Sequence, residues 1–520
     1  MMKKPVSLLM GAGMLAAAHC SAEPAGALAV PPARPNILIL LCDQLSEKAF
    51  GAELAPWITK PNLDGIRSRG VIFENAFTAC PLCLPARASL WTGRYPHETG
   101  AVANEIGAGH HADRYPGLGQ IFREAGYLTA HFGKQHDAGT LRTFEIISEE
   151  PEVKEIPSGF LPVNKDSRMD AATTDLTVDF LEKRRNSADQ RPYLLVADLN
   201  NPHNICQFVG ENVNLTIPEN AALPPLPANF EIKDPASLPL PVRYICCTHP
   251  RLRQAAQWSA ERYRFYLWAY CRYTEMVDRQ IGTILQALER SGTADNTVVI
   301  LLADHGEGLA EHRMVTKQQS FYEPIIHIPM VIANAPAGKT PVKPERLVST
   351  LDLLPTLCDL AGIRAPEGLP GFSMLRQEER EYVSSEWVSE YFNTISPARM
   401  IRDTRYKYVH YLEGGEELFD LASDPGEVRN LALETASLPL LERYRAKLQQ
   451  HLERCGDPYR SLPVVVDPRY RSHTPGYPNH VGSDAITDGR KNPDDQKRIL
   501  ENARRYLESA DRARQCAASK

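Results

Sequence analysis

Past Ala18 the 520-residue chain has no uninterrupted apolar run long enough to cross a bilayer, which argues against a membrane-spanning protein. It also lacks an excess of positive charge. Lys and Arg number 58 against 64 Asp and Glu, a formal net charge of -6. Nucleic-acid binding by bulk electrostatics is therefore disfavoured, and an anionic substrate must be held by a local cationic pocket. A second CxxC pair is missing too. Cys80-Pro81-Leu82-Cys83 is one such pair, but Cys246-Cys247 is adjacent and cannot chelate in the same way, which removes the zinc-ribbon reading. A thioredoxin-like redox site needs an early strand leading directly into the CxxC helix, and the rest of the chain does not support one. The 11 cysteines permit a few disulfides in an exported chain, but they are odd in number and irregularly spaced. That fits one cysteine set aside for chemistry.

A hydrophobic content of 43% over this length supports one large domain and a smaller one. The N-terminus carries Lys3-Lys4, an apolar stretch from Val6 to Ala18, and small residues around Ser21-Ala22. This is the pattern of a secretory signal over residues 1–22, so the mature chain is expected to be exported, to the periplasm or beyond the cell. Cys20 raises lipid anchoring, which the bulky His19 before it disfavours.

Two runs predict strands buried on both faces. Pro35 to Cys42 is continuously apolar and meets Asp43-Gln44; Asn296 to Ala303 meets Asp304-His305-Gly306-Glu307. Short runs of this kind without alternation belong in a parallel sheet covered by helices. Ligands of open α/β sheets gather beyond the carboxyl ends of their strands, so the two acidic pairs should converge on one site. Two carboxylates, an amide oxygen and an imidazole suit Ca²⁺ or Mg²⁺, and the imidazole also accepts Mn²⁺. Taken alone, an Asp-Gln after a strand is more often a turn or a helix cap.

The most specific stretch is Cys83-Leu84-Pro85-Ala86-Arg87, continuing to Thr92-Gly93-Arg94. It resembles the signature of the type I sulfatases of the alkaline phosphatase superfamily. In that family the cysteine is oxidised after synthesis, by a formylglycine-generating enzyme, to an aldehyde residue. Gly126-Tyr127-Leu128-Thr129-Ala130-His131-Phe132-Gly133-Lys134-Gln135-His136 resembles the second signature, and Asn201-Pro202-His203 and Lys317 with Phe321-Tyr322-Glu323-Pro324 follow in family order. Any one of these alone reads as a solvated lysine or a turn histidine.

The resemblance implies an α/β fold, with a large mostly parallel sheet between helices and a smaller C-terminal antiparallel sheet. It implies a metal, Ca²⁺ first, held by Asp43, Gln44, Asp304, His305 and the oxygen of converted Cys83. Many members carry Asp-Asp at the first site; Gln44 instead resembles a subset with phosphonate monoester hydrolases and choline sulfatases. Arg87, Lys134 and Lys317 would neutralise charge developing on a sulfate ester. One hydroxyl of hydrated formylglycine would attack sulfur while His203 or Lys317 protonates the leaving oxygen; the second, deprotonated by His136, would expel sulfate.

Further along, Arg262 to Leu288 predicts a long amphipathic helix whose aromatics read as core, closed by Ser291-Gly292. Gln207 to Pro241 is rich in Pro and Asn without periodicity and reads as a surface excursion near the pocket mouth. Thr350 to Leu357 resembles the family's closing helix of the large domain, and short alternating runs at Met400–Arg402, Tyr406–Val409 and Glu417–Asp420 predict an antiparallel sheet, followed by a helix from Leu438 to Arg454. The expected boundaries are a catalytic domain over 33–376, an α+β subdomain over 377–455 and an extension over 456–520. In the extension Tyr470 to His480 is a loop, and a helix begins at Asn492 with Ile499, Leu500, Ala503, Tyr506 and Leu507 on its apolar face.

The sequence thus points to an exported, metal-dependent sulfatase acting on a sulfate ester, with sulfated glycans the first choice by family analogy. Its rivals are a phosphonate monoester or phosphodiester hydrolase with the same nucleophile, and a non-catalytic sulfoglycan-binding protein.

Overall fold

Seven strands order themselves β2-β8-β7-β1-β6-β4-β5 into the central sheet of the computed structural model. The structure describes residues 34–104, 114–148, 165–211, 215–232, 234, 237–243, 250–317, 320–390, 394–466 and 493–518. The expected signal segment with Cys20, the Cys246-Cys247 pair, part of the Gln207–Pro241 excursion and the Tyr470–His480 loop lie outside the described residues.

The middle of the sheet is β1 (Asn36–Cys42), flanked by β6 (Tyr193–Leu199) and β7 (Thr297–Ala303), all three buried along their whole length. Burial on both faces is what an unalternating run of Leu, Ile and Val requires. β1 runs parallel to β6 and β7, and β4 (Leu128–Gly133) runs parallel to β6 and to β5 (Ile146–Ile147). Only β8 (Met330–Ala333) reverses direction; the edge strand β2 (Gly70–Ile72), antiparallel to β8, runs the same way as the other strands. β3 (Asn75–Phe77) and β9 (Leu347–Ser349) form a separate parallel pair. The register sets Leu41 opposite Asp198 and Cys42 opposite Ala303. Asp43, Asp198 and Asp304 therefore reach the same carboxyl edge of three adjacent strands.

Helices cover the sheet: α1 (Cys83–Thr92), α2 (Lys165–Arg184), α3 (Ile205–Glu211), α4 (Ala260–Ser291) and α5 (Leu353–Ala361). α4 is bounded by local chemistry. The Ser259 side chain accepts the Arg262 N–H at its start (3.2 Å), and Gly292, at a φ of 73°, ends it in the left-handed conformation that glycine adopts without penalty. Among the described residues no helix is long and apolar enough to cross a membrane.

The second sheet is antiparallel, in the order β10-β11-β12-β13: β10 (Val383–Trp387), β11 (Ala398–Arg402), β12 (Tyr406–Tyr411) and β13 (Glu416–Asp420). One side shares the core of the large sheet through Met400, Val409 and Phe419. The other packs Ile401, Tyr408 and Leu418 against α6 (Leu438–Cys455) and α7 (Pro493–Ala518). α7 buries Ile499, Ala503 and Tyr506 as its periodicity requires, but Leu500 is 60% exposed, so the apolar face is narrower than expected. The Gln207–Pro241 stretch also differs from a plain surface excursion: it begins inside α3, and Asn229 and Phe230 are buried against the large domain.

Candidate active site

Arg87 enters the carboxyl edge of the sheet from the second turn of α1, and its guanidinium is fully buried. Nε donates to Asp304 (3.0 Å), Nη2 to Asp43 (2.9 Å) and Nη1 to Asp198 (2.5 Å). Burial opposes its charge, but Asp198, Asp304 and Asp43 outweigh that and push its pKa well up. The rigid fork of an arginine suits this task, since one planar group can bind three carboxylates at fixed angles. Its donors are thus turned onto carboxylates, in contrast to the expected direct role on sulfate.

Cys83 is the first residue of α1, where the exposed amides of a helix start favour negative charge. Its Sγ lies 3.2 Å from His305 Nε2 and 3.9 Å from Asp43 Oδ1. Burial pushes the thiol pKa up, yet Lys317, Lys134 and His305, with a hydrogen bond from His136, drive it well below the ordinary value. His305 Nδ1 donates to the Gly306 carbonyl (2.9 Å), which leaves Nε2 free to act as a ligand towards Cys83 and the two acids. Single atoms of Asp43, Cys83, Asp304 and His305 all lie within 4.8 Å of one another. Two carboxylates, an imidazole nitrogen and a fourth group at that separation fit a divalent cation.

Gln44 sits beside them with a φ of 69°. Its N–H donates to Asp304 Oδ1 (3.0 Å) and its carbonyl accepts from Tyr270 of α4 (2.7 Å). The side-chain oxygen accepts from Lys317 Nζ (2.7 Å) and the side-chain nitrogen donates to Glu307.

The cations close round this group. Lys134, at the end of β4, donates to Asp43 Oδ2. Burial disfavours the Lys317 ammonium, but Cys206, Cys83 and Asp43 raise its pKa. His203 is held neutral, its pKa pushed down to about 3 by burial together with Lys134 and Lys317. His136 lies 3.3 Å from the Asn104 carbonyl. Every residue singled out from the sequence therefore falls in this one region.

Sequence reasoning missed the groups that hold it. Asp198, inside the apolar run of β6, carries no local signal of its own, yet its carboxylate takes both Arg87 and His131 Nε2 (3.2 Å). Tyr266 and Tyr270 were read as core; they are buried, but their hydroxyls point at Glu307 and Gln44. Their i, i+4 spacing on a helix facing the sheet was the available signal.

Buried cations clustered round a cysteine at the carboxyl edge of this sheet define an alkaline phosphatase-like hydrolase for an anionic ester. The comparisons narrow the class. The sulfatase family profile matches residues 35–363, and this chain belongs to that family; it is a sulfuric ester hydrolase. A profile for the C-terminal part of N-sulphoglucosamine sulphohydrolase matches residues 310–454. The chain is 45% identical over 475 residues to a Δ4,5-hexuronate-2-O-sulfatase of Bacteroides thetaiotaomicron, covering 88% of this chain and 97% of that one. A solved 2-O GAG sulfatase superposes with a TM-score of 0.80 at 43% identity, over 87% of this chain and 100% of the other. A phosphonate monoester hydrolase of Agrobacterium radiobacter shares the fold, with a TM-score of 0.62 at 22% identity over 81% of this chain and 96% of that one.

Proposed function

We propose that this sulfatase removes the 2-O-sulfate from an unsaturated hexuronate at the end of a sulfated glycan. The observation that carries this reading is the 45% identity to a Δ4,5-hexuronate-2-O-sulfatase over nearly the whole of both chains. The phosphonate monoester hydrolase rival has behind it a likeness of fold at 22% identity and the resemblance at Gln44, which is shared with choline sulfatases. In the same reading the chain is exported, not lipid-anchored at Cys20, and depends on a formylglycine-generating enzyme in its host. The proposed domain boundaries remain 33–376 and 377–455, with an extension to 520.

Asp43, Gln44, Asp304, His305 and residue 83 would hold the divalent cation, Ca²⁺ first, with Mg²⁺ or Mn²⁺ as alternatives. Bound there, the cation supplies positive charge to the sulfate oxygens and to the nucleophile. Oxidation of Cys83 to formylglycine supplies an oxygen nucleophile in place of the thiol.

The chain's own residues do the rest. Lys134 and Lys317 bind the sulfate oxygens and stabilise the charge that builds on them as the S–O bond to the sugar breaks. The departing sugar oxygen needs a proton. His203 is neutral at physiological pH, so Lys317 is the neighbouring group that carries one. His136, within reach of residue 83, takes the proton that must leave when sulfate is released. Arg87 binds no substrate in this scheme; it fixes the angles of Asp43 and Asp304 so that they meet the cation.

The test is inorganic sulfate release by matured enzyme from defined sulfated disaccharides, with an aryl sulfate and a phosphonate monoester alongside. Release confined to the 2-O-sulfated unsaturated hexuronate is the expected outcome. Preferential turnover of the phosphonate would replace this reading by its rival, and binding without turnover would mark a non-catalytic lectin.

A further inference from the structure

The amide of Gln44 can offer a cation its oxygen or, turned over, only its N–H groups, which repel one. The difference is a rotation of about 180° that costs little unless the surroundings forbid it. Here both ends are fixed by groups of a single hydrogen-bonding sense. Lys317 Nζ can only donate, and it meets the amide oxygen at 2.7 Å. The Glu307 carboxylate can only accept, and it meets the amide nitrogen through Oε2. A carbonyl oxygen has two lone pairs; one is directed at Lys317, and the other faces the weakly donating Cys206 thiol (3.4 Å), which a cation would displace.

Glu307 is itself immobilised. Its other oxygen, Oε1, accepts the Thr316 backbone N–H (2.5 Å) and the Tyr266 hydroxyl. The carboxylate is fully buried, and it sits three residues past Asp304 on the same loop. Tyr270, one turn along α4 from Tyr266, holds the Gln44 carbonyl (2.7 Å) and the Ser46 N–H (3.0 Å). Helix α4 thus grips Gln44 twice, once directly and once through Glu307.

We propose that Glu307, anchored by Tyr266 and Thr316, is a positioning residue that locks the Gln44 amide with its oxygen towards the cation, so that a neutral glutamine serves as a ligand. The inference rests on the metal part of the proposed function and is independent of the sugar.

The geometry makes a directional prediction for Glu307→Gln. The Thr316 N–H cannot accept, so the new amide must keep its oxygen at Thr316 and turn its nitrogen to Gln44. Gln44 then meets a donor at one end or the other: it either turns over, presenting nitrogen to Lys317 and the cation, or keeps its oxygen at Lys317 and is displaced by the new amide. Adding Gln44→Glu restores an acceptor opposite the new nitrogen and leaves a second carboxylate oxygen for the cation. The experiment is calorimetric titration of chelator-stripped, full-length protein with Ca²⁺ alone, with circular dichroism to confirm folding. Glu307→Gln is expected to weaken Ca²⁺ binding by roughly 10–100-fold, the usual effect of removing a group behind a metal ligand. The Gln44→Glu/Glu307→Gln pair is expected to return to within a few-fold of the parent. Unchanged affinity in Glu307→Gln would overturn the proposal, and so would a folded double variant no tighter than the single one. If the single variant does not fold, the double variant decides: parental affinity supports the lock, and a tenfold or greater loss refutes it. Failure of the parent protein to bind Ca²⁺, Mg²⁺ or Mn²⁺ would instead sink the metal reading, and the lock with it.

Discussion

At Cys83 two effects oppose each other, and the sign of the outcome matters. A buried thiol resists ionisation, but Lys317, Lys134 and His305 reverse that preference. The same field would favour any anionic oxygen placed there, which is what a sulfate-ester nucleophile must become. A serine could form the covalent sulfate ester in this field but has no second hydroxyl with which to release sulfate. Cys83→Ser is therefore expected to release the sugar product once per enzyme and then stop, lowering steady-state turnover by at least about 10³-fold. Rapid-quench kinetics read the burst and the plateau. Sustained turnover by Cys83→Ser, or any activity of Cys83→Ala, would remove formylglycine from the mechanism. Peptide mass spectrometry on protein from a host with the maturation enzyme checks the conversion directly.

The second sheet is tied to the first by charge as well as by apolar packing. Lys407 of β12 is fully buried and donates to the Phe321 carbonyl (2.6 Å), to Glu323 (3.2 Å) and to Glu427. Arg402 of β11 adds a contact to Glu323 (3.2 Å). Lys407→Met keeps much of the side-chain volume but strands Glu427 without its cation. Breaking a buried pair from one side costs about 3–5 kcal/mol, and chemical denaturation at about pH 9, above the value of about 8 to which burial raises Glu427, should show a loss of that size. A loss below about 1 kcal/mol would mean that the apolar contacts alone join the sheets. Elements of this kind also mark the limit of what the sequence disclosed. β1 and β7 were legible because unbroken apolar runs met acidic residues, and the Cys83 stretch is too specific to misread. β10 escaped because Ser384, Ser385 and Glu386 give it the look of a loop; all three are buried, and Ser384 and Glu386 are met by Tyr95 and His97, 289 positions away, which no local pattern encodes. Glu307 was visible next to His305, but its task depends on Tyr266 and Gln44, 41 and 263 positions away in the chain.

Over the whole molecule, segments distant in sequence meet at His97. It follows the Cys83 helix, and it faces Glu386 of β10 and Asp457 beyond α6. Its ring Nδ1 donates to Glu386 (2.6 Å) and lies 3.8 Å from Asp457, while Nε2 faces the Cys455 carbonyl at 3.4 Å. With acceptors at both nitrogens the ring is an imidazolium. Arg399 binds Asp457 (2.6 Å) in the same cluster, so these acids are already matched by cations and do not form a second metal centre. Burial alone would lower the His97 pKa, but Glu386 and Asp457 raise it to about 9 from an ordinary 6.5. A group whose folded-state pKa is raised stabilises the fold fully below the unfolded value, and that stabilisation is lost as pH climbs through the folded value. His97 should therefore contribute on the order of 3 kcal/mol below pH 6.5, declining to nothing above pH 9. Glu417 and Glu427, raised to about 7 and about 8 by burial, have the same sign, since each binds its proton more tightly when folded. The parent curve alone cannot separate these contributions, but its difference from His97→Gln can. Urea denaturation of both proteins from pH 6 to 10 should give a gap that narrows between pH 6.5 and 9. A gap independent of pH would show that His97 is neutral in the fold and that the three segments are joined by packing and Arg399 alone.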